Sequence, residues 1–416
     1  MRYSITSLLQ NAFQNHKKWP PAWRSPEPKS SYDVIIVGGG GHGLAAAYYL
    51  AKNHGIKNVA VLEKGWIGGG NTGRNTTNIR SDYLTPEATG FYGFSVELWK
   101  TLSQELNFNQ MWSQRGIVKV AHGRAEYRQL VRRANALHMA NLDYEMLTPE
   151  QLKEMIPILD ISSRPRFPII GGVIQRKAGI ARHDAVAWGF ARAGDSLGVD
   201  IIQNCEVLGF KINNNNIKGV DTTKGFIQSK KVAIVVAGQS THLADMLGVR
   251  LPITTFPLQA WVSEPIKPCL PVIVASMDYQ FYVNQSDKGE LVIGADRDVY
   301  TSFQARGSVR HLKNGLAGMI ELFPVFSRLK MLRQWAGNID DTPDHSPLMT
   351  KLPINGVYLN GGWGTGGFKA TPGSGFVFAD TIANDRPHPL AEPFSLKRFE
   401  NARLVGEHLA AGGYSS

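Results

Sequence analysis

Apolar positions in this chain recur every second residue or every three to four, and the changes of period outline its elements. Four consecutive apolar residues, Val34–Val37, predict a buried strand; helical spacing over 44–52 and a second buried strand, Val59–Leu62, follow. Helical periodicity returns over 88–106 and 124–141, with a strand over 114–120 between them. Thr148 before Pro149 marks a short helix, because threonine accepts from the open amides of a first turn that tolerates proline. A strong helix spans 184–197 and stops at Gly198. Alternation over 199–238 predicts a β-meander turning at the asparagine run 213–216, followed by a helix from near Ser240. Strands dominate over 251–293. From Gln334 the pattern is again strand, glycine loop and helix, with a strand over 357–359 and a helix from Thr371 or Pro372. Leu8, Leu9 and Phe13 suggest one amphipathic turn in an otherwise extended, proline-rich N-terminal arm, lying on the chain's own surface or on a partner.

This order predicts a nucleotide-binding domain built from three separated pieces, 31–110, 172–250 and 336–395. Two inserted pieces, 111–171 and 251–335, would form a second, mostly antiparallel β-sheet domain. Residues 1–30 read as an arm and 396–416 as a tail. Ligand chemistry belongs between the two domains.

The strand Val34–Val37 runs into Gly38, Gly40 and Gly43, which carry the G-x-G-x-x-G spacing, and the second strand ends at Glu63. Each part has a mechanical use in holding a dinucleotide. Gly38 allows the tight turn, Gly40 lets the backbone approach a pyrophosphate, and Gly43 lets the helix pack on the sheet. The helix N-terminus offers open N–H groups to phosphates, and Glu63 can accept both ribose hydroxyls of an adenosine. The bland alternative is a glycine-rich turn that binds nothing. After Glu63 comes KGWIGGGNTGRNTTNIRSDYL, a polar loop suited to wrapping an oxygen-rich ligand. The C-terminal loop GGWGTGGFK (361–369) offers a second helix N-terminus with a lysine beside it. That pairing stabilises the negative charge a flavin gathers at its N1 and C2=O edge on reduction. It favours FAD over NAD and makes Lys369 a contact for a substrate carboxylate or for the flavin N5 side. The alternative there is a flexible turn with a solvent lysine.

With 416 residues and 45.8 kDa, 43% hydrophobic and 19% charged, the composition is that of a globular protein large enough for two domains. No apolar run approaches the roughly 20 residues of a membrane span, and the N-terminus lacks a signal-peptide core, so a cytoplasmic protein with no membrane partner is expected. The net charge of +11 favours anionic ligands, but the basic residues are scattered and no nucleic-acid motif accompanies them, so no nucleic-acid partner is expected. Cys205 and Cys269 cannot build a disulfide framework, and no His/Cys cluster has metal spacing.

The fingerprint, NTGRNTTNIRSDY (71–83), AGIARHDAVAWGFARAGDSLGVDIIQNCEV (178–207) and GGWGTGGFKATPGSG (361–375) together resemble the FAD-dependent amine oxidases of the D-amino-acid oxidase type. The resemblance extends from about Trp23 onward, and within the family it is to the branch of the heterotetrameric sarcosine oxidases, through their β subunits. It implies an α/β (α+β) fold: a Rossmann-like FAD-binding domain of the glutathione-reductase/D-amino-acid oxidase type, with an inserted, mostly antiparallel β-sheet substrate domain.

The same resemblance implies a noncovalent FAD held by Gly38, Gly40, Gly41, His42, Gly43, Glu63 and Lys64. Asn71, Thr72, Arg74, Asn75 and Thr76 of the polar loop, Val207 at the adenine, and Gly364, Gly366, Gly367, Phe368 and Lys369 complete that set. It also implies a covalent FMN on His183, the one histidine of AGIARHDAVAW; read alone, His183 is a capping or surface residue. The stretch GNIDDTPDHSPLMT lacks the cysteine with which monomeric relatives tether FAD, so the FAD should be removable. Arg80 and Lys369 match the substrate-carboxylate contacts and are the expected catalytic residues, the alternative for Arg80 being a surface ion pair. Tyr279 and Tyr282 are either pocket or core aromatics, and Asp296 and Arg297 match no known role. The implied reaction is oxidation of sarcosine at FAD, with electrons leaving through FMN to O2 and giving glycine, H2O2 and either formaldehyde or 5,10-methylenetetrahydrofolate. The implied partners are α, γ and δ subunits, with tetrahydrofolate on α. Other N-methyl or cyclic amino acids, such as dimethylglycine or a proline-like substrate, and a non-catalytic flavin-binding subunit remain alternatives.

Overall fold

The computed structural model describes residues 4–17 and 21–406; the last ten residues of the expected tail lie outside them. Two sheets organise the molecule. The first has six strands in the order Asp200–Ile202, Val59–Leu62, Val34–Val37, Val232–Ile234, Val357–Gly361 and Leu348–Lys351. The first five are parallel and the last is antiparallel. Their residues are buried almost without a break, as a parallel sheet covered on both faces requires. On one face the helices Gly41–His54, His183–Ser196 and Gly367–Asn384 pack around Tyr48, Tyr49, Phe190 and Phe378. The α/β reading with a Rossmann-like half therefore holds.

The second sheet has eight strands, in the order Met331–Asp341, Thr254–Pro265, Glu290–Arg297, Phe281–Gln285, Ile273–Ser276, Ile117–Ala121, Gly171–Gln175 and Glu145–Leu147. Only the pairing of Ile273–Ser276 with Ile117–Ala121 is parallel, so this sheet is mostly antiparallel, as expected. Gly171–Gln175 and Met331–Asp341 both pair in it. Boundaries at 171/172 and 335/336 would thus cut strands, and the chain crosses between sheets just beyond those points.

Several local expectations need correction. The expected meander is divided between sheets: Val207–Asn213, Asn216–Thr222 and Gly225–Ser229 form it, while Asp200–Ile202 and Val232–Ile234 enter the parallel sheet. Asn214 and Asn215 both take positive φ at its turn (49° and 58°), the conformation of a two-residue hairpin loop. Cys205 lies in the connection before the meander rather than on a strand. The strand over 114–120 is broken at Gly116 (φ 79°), which separates Ser113–Gln114 from Ile117–Ala121. The C-terminal helix begins at Gly367, after a 3-10 turn over Gly364–Gly366, and not at Thr371 or Pro372. Pro372 sits inside that helix, where it forgoes one backbone hydrogen bond. The helix Val309–Leu322 falls in the stretch 294–333, for which the sequence suggested no element. At the N-terminus Ile5–Phe13 is a full helix, started by Ser4, with Ile5 and Phe13 77% and 87% exposed; it does not lie on the chain's own surface.

Candidate active site

A cavity of about 1620 Å³ runs between the sheets, from the first glycine turn to a wall of basic side chains. At Gly38 φ is 116°, and a β-carbon would stand 2.2 Å from the Val235 carbonyl oxygen, so only glycine fits. A β-carbon on Gly43 would meet the Gly38 carbonyl oxygen at 2.1 Å, which keeps the helix tight on the turn. Gly40 caps the helix Gly41–His54, and the Gly41 N–H donates to Thr72 Oγ1 at 2.9 Å. This helix start is open to the cavity, as anion binding requires. Glu63 is already oriented: its two oxygens accept from the Gly39 and Gly65 N–H groups, each at 2.8 Å. Lys64, Cys205 and Val207 line the same region.

The polar loop lines the cavity with Asn71, Thr72, Arg74, Asn75 and Thr76, yet much of its polar capacity is spent on its own shape. Asn71 pairs through its amide with both backbone groups of Asn338, and Asn75 with Thr72 and Thr77. Arg74 donates to the Gly69 carbonyl, and its own carbonyl accepts from Trp335 at 2.6 Å. Thr76 Oγ1 meets the Tyr282 hydroxyl at 2.9 Å.

His42 ties the two glycine loops together. Its Nε2–H donates to the Gly367 carbonyl at 2.8 Å, which leaves Nδ1 to accept from Ser374 Oγ at 2.7 Å. Burial pushes its pKa down to about 4, so the ring is neutral. Gly364, Gly367, Phe368 and Lys369 line the cavity as well, whereas Gly43 and Gly366 support it from behind.

The far wall carries Arg80, Lys119, Arg133 and Lys369. Lys369 is 5% exposed and donates to the Thr365 carbonyl at 2.8 Å; burial, aided by the charge of Arg80, pushes its pKa well below the usual 10.5. Arg80 is a buried ion-pair partner rather than a surface one: it bonds Asp82 at 2.5 Å and lies 4.9 Å from the Tyr83 ring centre. Burial opposes its charge, but Asp82, with smaller contributions from Tyr83 and Tyr92, raises its pKa overall. Asp82, Lys119 and Arg133 were missed as site residues. The available signals were an acid two positions after Arg80 and a lysine inside the apolar run Ile117–Ala121.

The two tyrosines separate. Tyr282 lines the cavity, whereas Tyr279 belongs to the core of the larger sheet and bonds Glu321 and the Phe167 N–H, both at 2.9 Å. Arg297 lines the cavity and pairs with Asp341 at 2.7 Å; the side chain of Asp296 lies outside the described ones. Cys269 is half-buried and away from the cavity.

His183 does not line this cavity. It is the first residue of the helix His183–Ser196, and its Nδ1 is buried with no hydrogen-bond partner. Burial, opposed by Asp184, lowers its pKa and keeps a lone pair available.

A glycine cradle at one helix start, a fixed carboxylate at the end of the second strand and a second helix start beside a lysine suit FAD. The chain belongs to the family of FAD-dependent oxidoreductases known as DAO, whose model matches residues 33–381. It is 51% identical over 411 residues to sarcosine oxidase subunit beta of Rhodobacter capsulatus, covering 99% of each chain. It is 53% identical over 389 residues to the subunit of the same name from Arthrobacter sp., covering 94% of this chain and 96% of that one. L-Proline dehydrogenase from P. horikoshii superposes with a TM-score of 0.85 at 29% identity, over 91% of this chain and 100% of that one. The expected family and fold hold, as does the reading of the chain as a flavin-dependent amine oxidoreductase. Among the described residues, no helix is long and apolar enough to cross a membrane.

Proposed function

We propose that this chain is the FAD-bearing β subunit of a cytoplasmic sarcosine oxidase, acting with α, γ and δ subunits. The observation that carries the reading is the continuity of one cavity from the glycine cradle to Arg80 and Lys369. FAD would be held noncovalently by the cradle, Glu63 and the C-terminal helix start, within a unit drawn largely from 31–110, 172–250 and 336–395. When bound, the flavins supply the acceptor for the electrons of the N-methyl C–H bond and, through FMN on His183, an exit to O2. Sarcosine, O2 and water thereby become glycine, formaldehyde and H2O2, or the methylene group is taken up by tetrahydrofolate on the α subunit.

The chain's own residues bind and orient. Arg80 offers a planar fork to the substrate carboxylate, and Lys369 a second cation. Tyr282 and Thr76 close the side of the pocket, and the buried wall excludes water from the amine. Such a reaction asks for positioning and a dry site more than for a strong base. The partnerless, neutral Nδ1 of His183 supports its role as the FMN attachment point, and the exposed helix Ile5–Phe13 supports a partner chain.

A second reading, oxidation of a cyclic secondary amino acid, is favoured by the fold shared with L-proline dehydrogenase. Turnover of sarcosine, dimethylglycine and proline by the assembled enzyme separates the two. Sarcosine should give the highest kcat/KM, and Arg80→Ala should lower it by a factor of about a hundred or more. Equal turnover of all three amines, or an unchanged KM in that variant, would sink the proposal. Acid precipitation should leave yellow flavin in the wild-type pellet and none in that of His183→Ala.

A further inference from the structure

Asp82 is 0% exposed and is not part of the cavity surface, so it lies behind the wall that Arg80, Lys119 and Arg133 present. Its Oδ1 holds Arg80 Nη1 at 2.5 Å. Its Oδ2 holds the Lys119 ammonium and stands 3.5 Å from Arg133 Nη1 and 3.4 Å from the Tyr144 hydroxyl, while its carbonyl accepts from Arg133 at 3.1 Å. Lys119 and Arg133 come from the inserted region: one from the strand Ile117–Ala121, the other from the helix Arg124–Met139. A neighbouring strand grips the same segment. Gln175 accepts from the Ser81 N–H at 3.0 Å and donates to Ser81 Oγ at 2.9 Å.

We infer that Asp82 is a positioning residue for the substrate carboxylate, fixing the Arg80 guanidinium and the Lys119 ammonium on the two oxygens of one buried carboxylate. The inference rests on the reading that Arg80 and Lys369 bind the substrate carboxylate, and it makes the larger sheet a co-builder of that site. The physical reason is the cost of the arrangement. Several cations in a buried wall repel one another, and each would turn toward water unless an anion held it. Burial alone would raise the pKa of Asp82, but Arg80, Lys119 and Arg133 together lower it far below the usual range, so the anion is present at every working pH. Burial and the charges of Arg133 and Arg80 push the pKa of Lys119 well below the usual 10.5, and Asp82 is the one anion that opposes them and favours the ammonium. With Asp82 behind the wall, the incoming anion meets cations already aimed at it.

The test uses the assembled, flavin-loaded enzyme, with acetate as the probe, read by the change it causes in flavin absorbance, and with steady-state turnover of sarcosine. Asp82→Asn should raise the acetate Kd and the sarcosine KM about tenfold or more, with kcat and FAD content changed far less. Asp82→Glu should recover part of the loss. Lys119→Met, which keeps the buried stem and removes only the ammonium, should weaken acetate about threefold or more, and it decides the matter if Asp82→Asn does not fold. Wild-type acetate affinity in Asp82→Asn or in Lys119→Met would overturn the inference. So would a fall in kcat with no change in KM, which marks a merely structural role. Arg80→Ala is the control: if it binds acetate as the wild type does, the carboxylate reading fails and the positioning role with it. If Arg80→Ala weakens acetate while Asp82→Asn and Lys119→Met do not, the positioning role alone fails.

Discussion

Lys369 is a lysine that its surroundings discourage from being charged, and under the proposed function its proton becomes part of substrate recognition. The ammonium exists only below its lowered pKa, so its attraction for a carboxylate is present on the acid side and lost as pH rises. Acetate affinity should therefore fall with rising pH from a point well below 10.5, and this slope should become shallower in Lys369→Met, the remainder belonging to Lys119, whose pKa is lowered likewise. Gly43 is constrained by space instead of charge. Gly43→Ala places a methyl group 2.1 Å from the Gly38 carbonyl oxygen and should cost about 1–3 kcal/mol in thermal unfolding, with loss of FAD. The G-x-G-x-x-G spacing made Gly43 legible in the sequence. The titration of Lys369 was not, because Arg80 and Asp82 lie more than 280 positions away along the chain.

At the scale of elements, two helix starts border the cavity and a histidine couples them. His42, on Gly41–His54, reaches Gly367 and Ser374 on Gly367–Asn384. Its folded pKa is depressed from 6.5 to about 4, so its contribution to stability is complete above 6.5 and is lost as pH falls toward 4. The thermal midpoint of the wild type should decline over that window more steeply than that of His42→Gln, measured by calorimetry on flavin-loaded protein. The second helix starts ahead of the position its sequence suggests, because proline at 372 is a strong start signal and the glycines before it resemble a loop. Close packing against Tyr92 and Ser95 keeps Gly366 and Gly373 in the helical segment despite their poor propensity.

Across the whole molecule, ionic contacts buried behind the far wall of the cavity tie the loop of Arg80 and Asp82 to the larger sheet through Lys119 and to the helix Arg124–Met139 through Arg133. Asp82→Ala should cost about 3–5 kcal/mol in urea unfolding at neutral pH, because it leaves buried cations uncompensated. The folded pKa of Asp82 lies below the ordinary 3.8, so this stabilisation is full above that value and erodes as pH falls beneath it. The difference in urea midpoint between wild type and Asp82→Ala should therefore shrink between pH 4 and pH 2. The exposed helix Ile5–Phe13, with Ile5, Leu8, Leu9 and Phe13 open to solvent, stands apart from this interior and adds nothing to the core.

The sequence by itself determined what is local. Turn geometry, helix starts and apolar periods depend on residues within a few positions of one another, and the glycine cradle with its carboxylate falls within the single stretch 34–63, so Val34–Val37, Gly38, Gly43 and Glu63 could be read in order. Only the tertiary structure decided which charges meet. Asp82, Lys119, Arg133 and Lys369 come from four separate stretches of chain, and burial at one wall gives each a role that none has in isolation. Tyr279 and Tyr282 make the same point. Three positions apart on neighbouring segments, one faces the core and the other the cavity, because packing around them, and no pattern along the chain, chose their sides.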